Sequence, residues 1–195
     1  MAEDSLLFAQ KISSMIINKI PYTEISKELE DAVDSNQSLE WEVVGDRIVA
    51  IFQSGEHQFF TNINLLDFAM QAYETDGEDS ILKRFQVQFS LAKRYSDQAG
   101  LKRKFELYED LVEGATSRME ENSTEDPFYY WLTRPLNQLA QLTQHWRGKE
   151  AAEPLWHRLV KVTPEAEMDA LLPVIEENAP WFITAHPELF PNHTD

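Results

Sequence analysis

The sequence predicts a mostly α protein of the α+β class, with one small antiparallel sheet near the N-terminus. Three observations carry this. Apolar residues recur at helical spacing through most of the chain, beginning with Phe8, Ile12, Met15 and Ile16. The period shortens to two only between residues 39 and 63. Hydrophobic residues make up 43% and aromatics 11% of the 195 residues, which supplies a real core and argues against wholesale disorder.

The first helix should stop at Ile20, because Pro21 disfavours the α conformation in the residue before it. A second helix follows, with Thr23 as N-cap, Glu24 in the first turn and Ile25, Leu29 and Val33 as its stripe. Residues 34–38 form a polar loop. Leu39, Trp41 and Val43 then alternate with Glu40 and Glu42, Gly45-Asp46 suits a tight turn, and residues 47–53 are rich in β-branched and aromatic side chains. Residues 54–56 turn again and residues 57–63 read as a third strand. The expectation is a three-stranded antiparallel meander, covered on its apolar face by helices before and after it.

From Asn64, a candidate cap, the pattern is helical only. Leu65, Ala69 and Ala72 make one stripe, ending near Asp76-Gly77. Leu82, Phe85, Phe89 and Ala92 make the next, and Leu101, Phe105, Tyr108, Val112, Ala115 and Met119 a third. The break between the last two is placed at Ser96-Asp97, the alternative being one helix bent at Gly100. Lys102, Arg103 and Lys104 oppose the dipole of a helix that starts just before them. Asp126 as N-cap with Pro127 behind it signals another start. Pro135 and Pro164 are expected to open further segments, Pro173 to kink the last one at Leu172, and residues 190–195 to fray. This divides the chain into an α+β N-terminal part, residues 1–63, and a helical-hairpin array, residues 64–195, packed as one unit with it.

The net charge of −17 is unevenly placed. Residues 1–82 hold 4 basic and 16 acidic residues, residues 83–104 hold 7 and 1, and residues 105–195 hold 6 and 17. So negative a field repels phosphate backbones and anionic membranes, and favours basic protein partners. The absence of cysteine removes disulfides, thiolate metal sites and cysteine nucleophiles. An acidic N-terminus without a basic n-region, and no apolar run near the roughly 20 residues of a membrane helix, point to the cytoplasm.

No catalytic constellation is visible. His57, His145, His157, His186 and His193 show no H-x-x-x-H, H-E-x-x-H or two-histidine–carboxylate spacing, so no metal or cofactor site is expected. Residues 75–80 are acidic but lack the D-x-D-x-D-G order of a calcium loop. Six glycines leave no phosphate-cradling loop. Residues 21–29 suggest the first helix of a helix-turn-helix, but Arg47 is the only basic residue between Lys27 and Lys83, too few for DNA.

Residues 133–166 resemble a tetratricopeptide repeat. Leu139-Ala140 falls at the large–small pair of the first helix, Ala152 at the second crossing, Trp156 at the aromatic site and Pro164 at the end. Thr143 stands where an aromatic is usual, Leu159 where a small residue is usual, and Gly148 lies one residue late. Only one clear unit is present, so flanking helices must stack on it. The resemblance implies a face for a peptide or partner protein and no enzymatic activity.

The functional expectation is a non-catalytic protein-interaction module, an adaptor or chaperone-like protein. Its rivals are an acidic inhibitor or nucleic-acid mimic that blocks a basic site, and an enzyme whose dispersed carboxylates converge in space. Residues 128–131 hold four consecutive aromatics, more than one helix face can bury. Candidate partner-binding residues are Tyr129 and Tyr130, expected to line a groove with the helix from Pro135 to Trp146, together with His145. Lys83 and Arg94, eleven apart on one helix face, are candidates for a docking strip or for internal neutralisation of acidic neighbours.

Overall fold

The computed structural model describes residues 2–35, 38–55, 58–96, 100–121 and 123–191. His57, His193 and most of the expected frayed tail lie outside them. The described chain forms two compact units, residues Met1–Ala99 and Gly100–Asp195. Position 63/64, where the sequence placed a domain boundary, lies inside a helix.

The first unit holds α1 (Ala2–Ile17), α2 (Tyr22–Asp34), α3 (Trp41–Ser54), α4 (Phe59–Asp76) and α5 (Ile81–Arg94). No strand occurs among the described residues, which corrects the expected meander: Trp41–Ser54 are α3, and α4 begins at Phe59. The short alternation around Trp41 concealed a longer helical stripe. Val44 and Ile48 are fully buried, and Trp41 and Phe52 are half-buried on the same side. β-branched residues lower helix propensity by only a few tenths of a kcal/mol each, and burial of this stripe outweighs that. Nor does Gly45-Asp46 turn; Gly45 is buried inside α3.

α4 packs against α1, α3 and α5, which makes it the core helix of this unit. Thr61, Ile63, Leu65, Leu66, Phe68, Ala69, Met70, Ala72 and Tyr73 are all buried. A helix apolar on nearly every side shows no clean amphipathic period, so its first turns passed for strand. Asn64, the expected cap, lies in its interior. Gly77 ends α4 at φ 92°, a conformation glycine adopts without Cβ strain.

The remaining helices depart from expectation in detail. Lys19, at φ 60°, reverses the chain before α2, which starts directly behind Pro21 rather than at a Thr23 cap. Ile25 and Leu29 are buried, but Val33 is exposed and Ala32 takes its place. The Tyr22 hydroxyl donates to Asp67 at 2.6 Å, and Gln71 bonds both, fastening α2 to α4. Burial, then the Asp67 carboxylate, pushes the Tyr22 phenol up to about 12. In α5 Leu82 is exposed, while Phe85 and Ala92 hold the buried face.

The second unit holds α6 (Leu101–Thr116), α7 (Tyr129–Arg147), α8 (Lys149–Val162), α9 (Met168–Asn178) and α10 (Pro180–Ala185). The three cations do occupy the first turn of α6, where Glu106 lies 3.6 Å from both Lys102 and Arg103. Pro135 does not open a segment. It is buried inside α7, as Pro154 and Pro173 lie inside α8 and α9. Each sits in the second turn, so the carbonyl it leaves unbonded belongs to the first turn.

Asp126 is not the cap of α7, which begins at Tyr129. Its carboxylate instead accepts the backbone N–H groups of Phe128 at 2.8 Å, Glu120 at 2.9 Å and Glu121 at 3.3 Å. These bonds, led by that from Phe128, hold the carboxyl below its ordinary range. A depressed folded-state pKa contributes order that is present above the unfolded value and lost as pH falls through the folded one. Protection factors of the Glu120, Glu121 and Phe128 amides, taken relative to the intrinsic rate at each pH, should therefore fall on acidification below the ordinary aspartate range. Asp126→Ala should show the low protection already at neutral pH.

Candidate functional site

α7 and α8 form a tight antiparallel hairpin around Gly148, whose φ of 93° makes the turn. Ala140, Ala152 and Trp156 are completely buried and Leu159 nearly so. The small residues at 140 and 152 bring no bulk between the helices, and the indole of Trp156 fills the space beside them. Gln144 is the polar hub of this packing. Its Oε1 accepts the indole N–H of Trp156 at 3.2 Å and of Trp181 at 2.9 Å. Its Nε2 donates to the Asn178 carbonyl at 2.7 Å. One amide thus joins α7, α8, α9 and α10.

The five sequence-predicted binding residues divide between the two units, two in the first and three in the second. Tyr129 is half-buried at the start of α7, with its hydroxyl bonded to Thr163, and burial pushes its phenol up. Tyr130 is 40% exposed and carries the Arg134 guanidinium 3.8 Å above its ring. His145 is exposed at the opposite end of α7, edge-on to Trp146 at 5.0 Å. At about 1.5 Å per residue the two ends are roughly 24 Å apart, so the tyrosines form no shared groove with the His145–Trp146 end. Lys83 and Arg94 belong to the other unit, and both face α3. Lys83 pairs with Glu42 at 2.9 Å and Asp46 at 2.7 Å, and Arg94 lies over the Phe52 ring at 5.4 Å.

A better-formed recess lies at the His145 end. Leu101, Lys102, Phe105, Glu106, Glu109, Trp146 and Arg147 line an open groove of about 480 Å³. Trp146 is 41% exposed there, and the Arg147 guanidinium sits 4.3 Å over the Phe105 ring. Its signal was present in the sequence: Trp146 continues the stripe of Leu139 and Leu142 by one more turn, past where the core needs it.

A second assembly was missed because it is not contiguous. Glu153 and His157 lie one turn apart on α8, and His186 caps the end of α10. The Glu153 Oε1 is 3.0 Å from His186 Nε2 and 3.9 Å from His157 Nε2. The two imidazoles meet at 4.2 Å between ring centres, and buried Phe182 packs against both, at 4.9 and 4.8 Å. Only the E-x-x-x-H half was legible; His186, twenty-nine residues on, had no periodic link to it.

Comparison of the chain with protein-family models, with curated proteins and with solved structures gives no significant match. No helix among the described residues is long and apolar enough to cross a membrane.

Proposed function

We propose that the chain is a non-catalytic, cytoplasmic protein-interaction module, adaptor or chaperone-like in kind. Its C-terminal helical unit docks a peptide or helix of a partner protein in the Trp146 groove. The observation that carries this reading is an indole 41% exposed in an open groove of about 480 Å³ that Leu101 and Phe105 also line. Tryptophan and arginine dominate binding hot spots, and a rigid indole left half in water regains hydrophobic free energy when a partner covers it. The rim carries both signs, Lys102 and Arg147 against Glu106 and Glu109, which suits an amphipathic segment with mixed charge. The resemblance of residues 133–166 to a tetratricopeptide repeat supports the same class of role.

The net charge of −17 keeps the acidic-inhibitor reading as the second one. Among the described residues every aspartate and glutamate is at least partly exposed, so an enzyme with buried acid–base carboxylates finds little support here.

A photo-crosslinking amino acid placed at position 146 in the native host should trap one partner or a small set. The same group at Glu177, exposed on α9, should not. Trp146→Ala should weaken binding of the trapped partner by about 1–3 kcal/mol with an unchanged melting temperature. Equal adducts at both positions would remove the groove from consideration. An association rate that collapses between low and physiological salt would favour the inhibitor reading.

A further inference from the structure

Glu153, His157 and His186 place one carboxylate oxygen and two imidazole nitrogens within 4.8 Å of one another. We infer that they form a binding site for a divalent transition metal, Zn²⁺ first among candidates. This stands independently of the docking role.

The donor set selects the metal class. Two imidazoles and a carboxylate suit Zn²⁺, Ni²⁺ or Cu²⁺, whereas Ca²⁺ and Mg²⁺ demand several more oxygens. The geometry fits as well. Bonds of 2.0–2.1 Å in a tetrahedron put donors about 3.3 Å apart. The distances of 3.0 and 3.9 Å from Glu153 Oε1 to the two histidines bracket that value.

The site is also held from outside. Glu153 and His157 are fixed at i, i+4 on α8, so both side chains leave the same helix face. His186 follows α10, its backbone N–H bonded to the Phe182 carbonyl at 3.0 Å. Phe182 is completely buried and forms an apolar floor under both imidazoles. The Nδ1 of His186 faces Glu188 Oε1 at 3.5 Å, the outer carboxylate that commonly orients a metal-bound histidine. Glu153 and His157 remain 41% and 40% exposed, so the fourth position opens outward, to water or a donor from another molecule. A metal here clamps the end of α10 to the middle of α8. It therefore stabilises the fold by linkage.

The test is Zn²⁺ titration of the untagged full-length chain by calorimetry, with a chelating dye as competitor. Saturable 1:1 binding is expected at micromolar metal. His157→Ala, His186→Gln and Glu153→Gln should each weaken it by about tenfold or more, while His145→Ala leaves it unchanged. Zn²⁺ should raise the melting temperature of the parent chain and leave that of His186→Gln where it was. No saturation by about 1 mM metal, or the same affinity in all variants, overturns the site. Should the variants fail to fold, Co²⁺ bound to the parent chain decides. Intense visible d–d absorption of a four-coordinate ion supports the site, and the weak bands of a hydrated six-coordinate ion overturn it.

Discussion

Replacing Gln144 by leucine should cost the C-terminal unit about 2–4 kcal/mol, although leucine nearly matches the glutamine in volume and leaves no cavity. The loss comes from what remains behind. The Trp156 indole is fully buried, and its N–H has Gln144 Oε1 as acceptor, shared with the N–H of Trp181. The Asn178 carbonyl loses the amide donor on the other side. A buried donor or acceptor left without a partner costs about 1–3 kcal/mol, and the three losses fall on one network, so they will not add fully. Gln144→Glu is the informative companion. Its carboxylate still accepts from both indoles but repels the Asn178 carbonyl, so its cost should be smaller than leucine's. Urea unfolding followed by tryptophan fluorescence measures both, since Trp131, Trp146, Trp156 and Trp181 all report on this unit. A leucine variant as stable as the parent would mean that water serves the indoles equally well.

That hub was invisible in the sequence, for a reason that applies to much of this chain. Helical stripes are local, and where they are amphipathic they were legible: Ile12 and Ile16, Ile25 and Leu29, Phe105 through Ala115, Ala140 and Ala152 are buried as their spacing implied. Residues 39–63 mislead because the signal there is equally local and points the other way. β-branched Val43, Val44, Ile48 and Val49 favour strand by propensity, while the helix they form is decided by contact with α4, many residues away. Pro135 suggests a break because the rule for prolines is local too, whereas burial inside the hairpin overrides it. The candidate sites followed the same division. Trp146 extends a stripe and was within reach. The pairing of Glu153 and His157 with His186 depends on where α10 ends, which no period specifies. Lys83 and Arg94 were correctly placed on one helix, but only the fold shows that α3, with Glu42, Asp46 and Phe52, lies under both.

The same dependence on a distant partner makes Gly45→Ala the sharpest test of the corrected fold. In an ordinary helix interior this substitution stabilises by about 0.8–1 kcal/mol, because alanine is the better helix former. Here it should destabilise by about 1–3 kcal/mol. A Cβ at position 45 would lie 2.5 Å from Cε1 of Tyr73 and 2.8 Å from two further ring atoms. The ring borders a recess of about 200 Å³, but it can swing that way only by giving up its own anchor. Tyr73 is 2% exposed and its hydroxyl donates to Asp46 at 2.7 Å; burial, then this bond, pushes the phenol well above its usual range. Asp46 is held in turn by Lys83. Relief therefore requires the ring to leave Asp46 or α3 to lift off α4, which forfeits that bond or the burial of Val44 and Ile48. A double-mutant cycle separates this clash from any general intolerance at position 45. In a Tyr73→Leu background the obstructing ring atoms are gone, so Gly45→Ala should become neutral or stabilising. In a Tyr73→Phe background the ring remains and the penalty should persist. Were residues 39–63 a meander with Gly45 at its turn, the identity of residue 73 would not matter and the cycle would show no coupling.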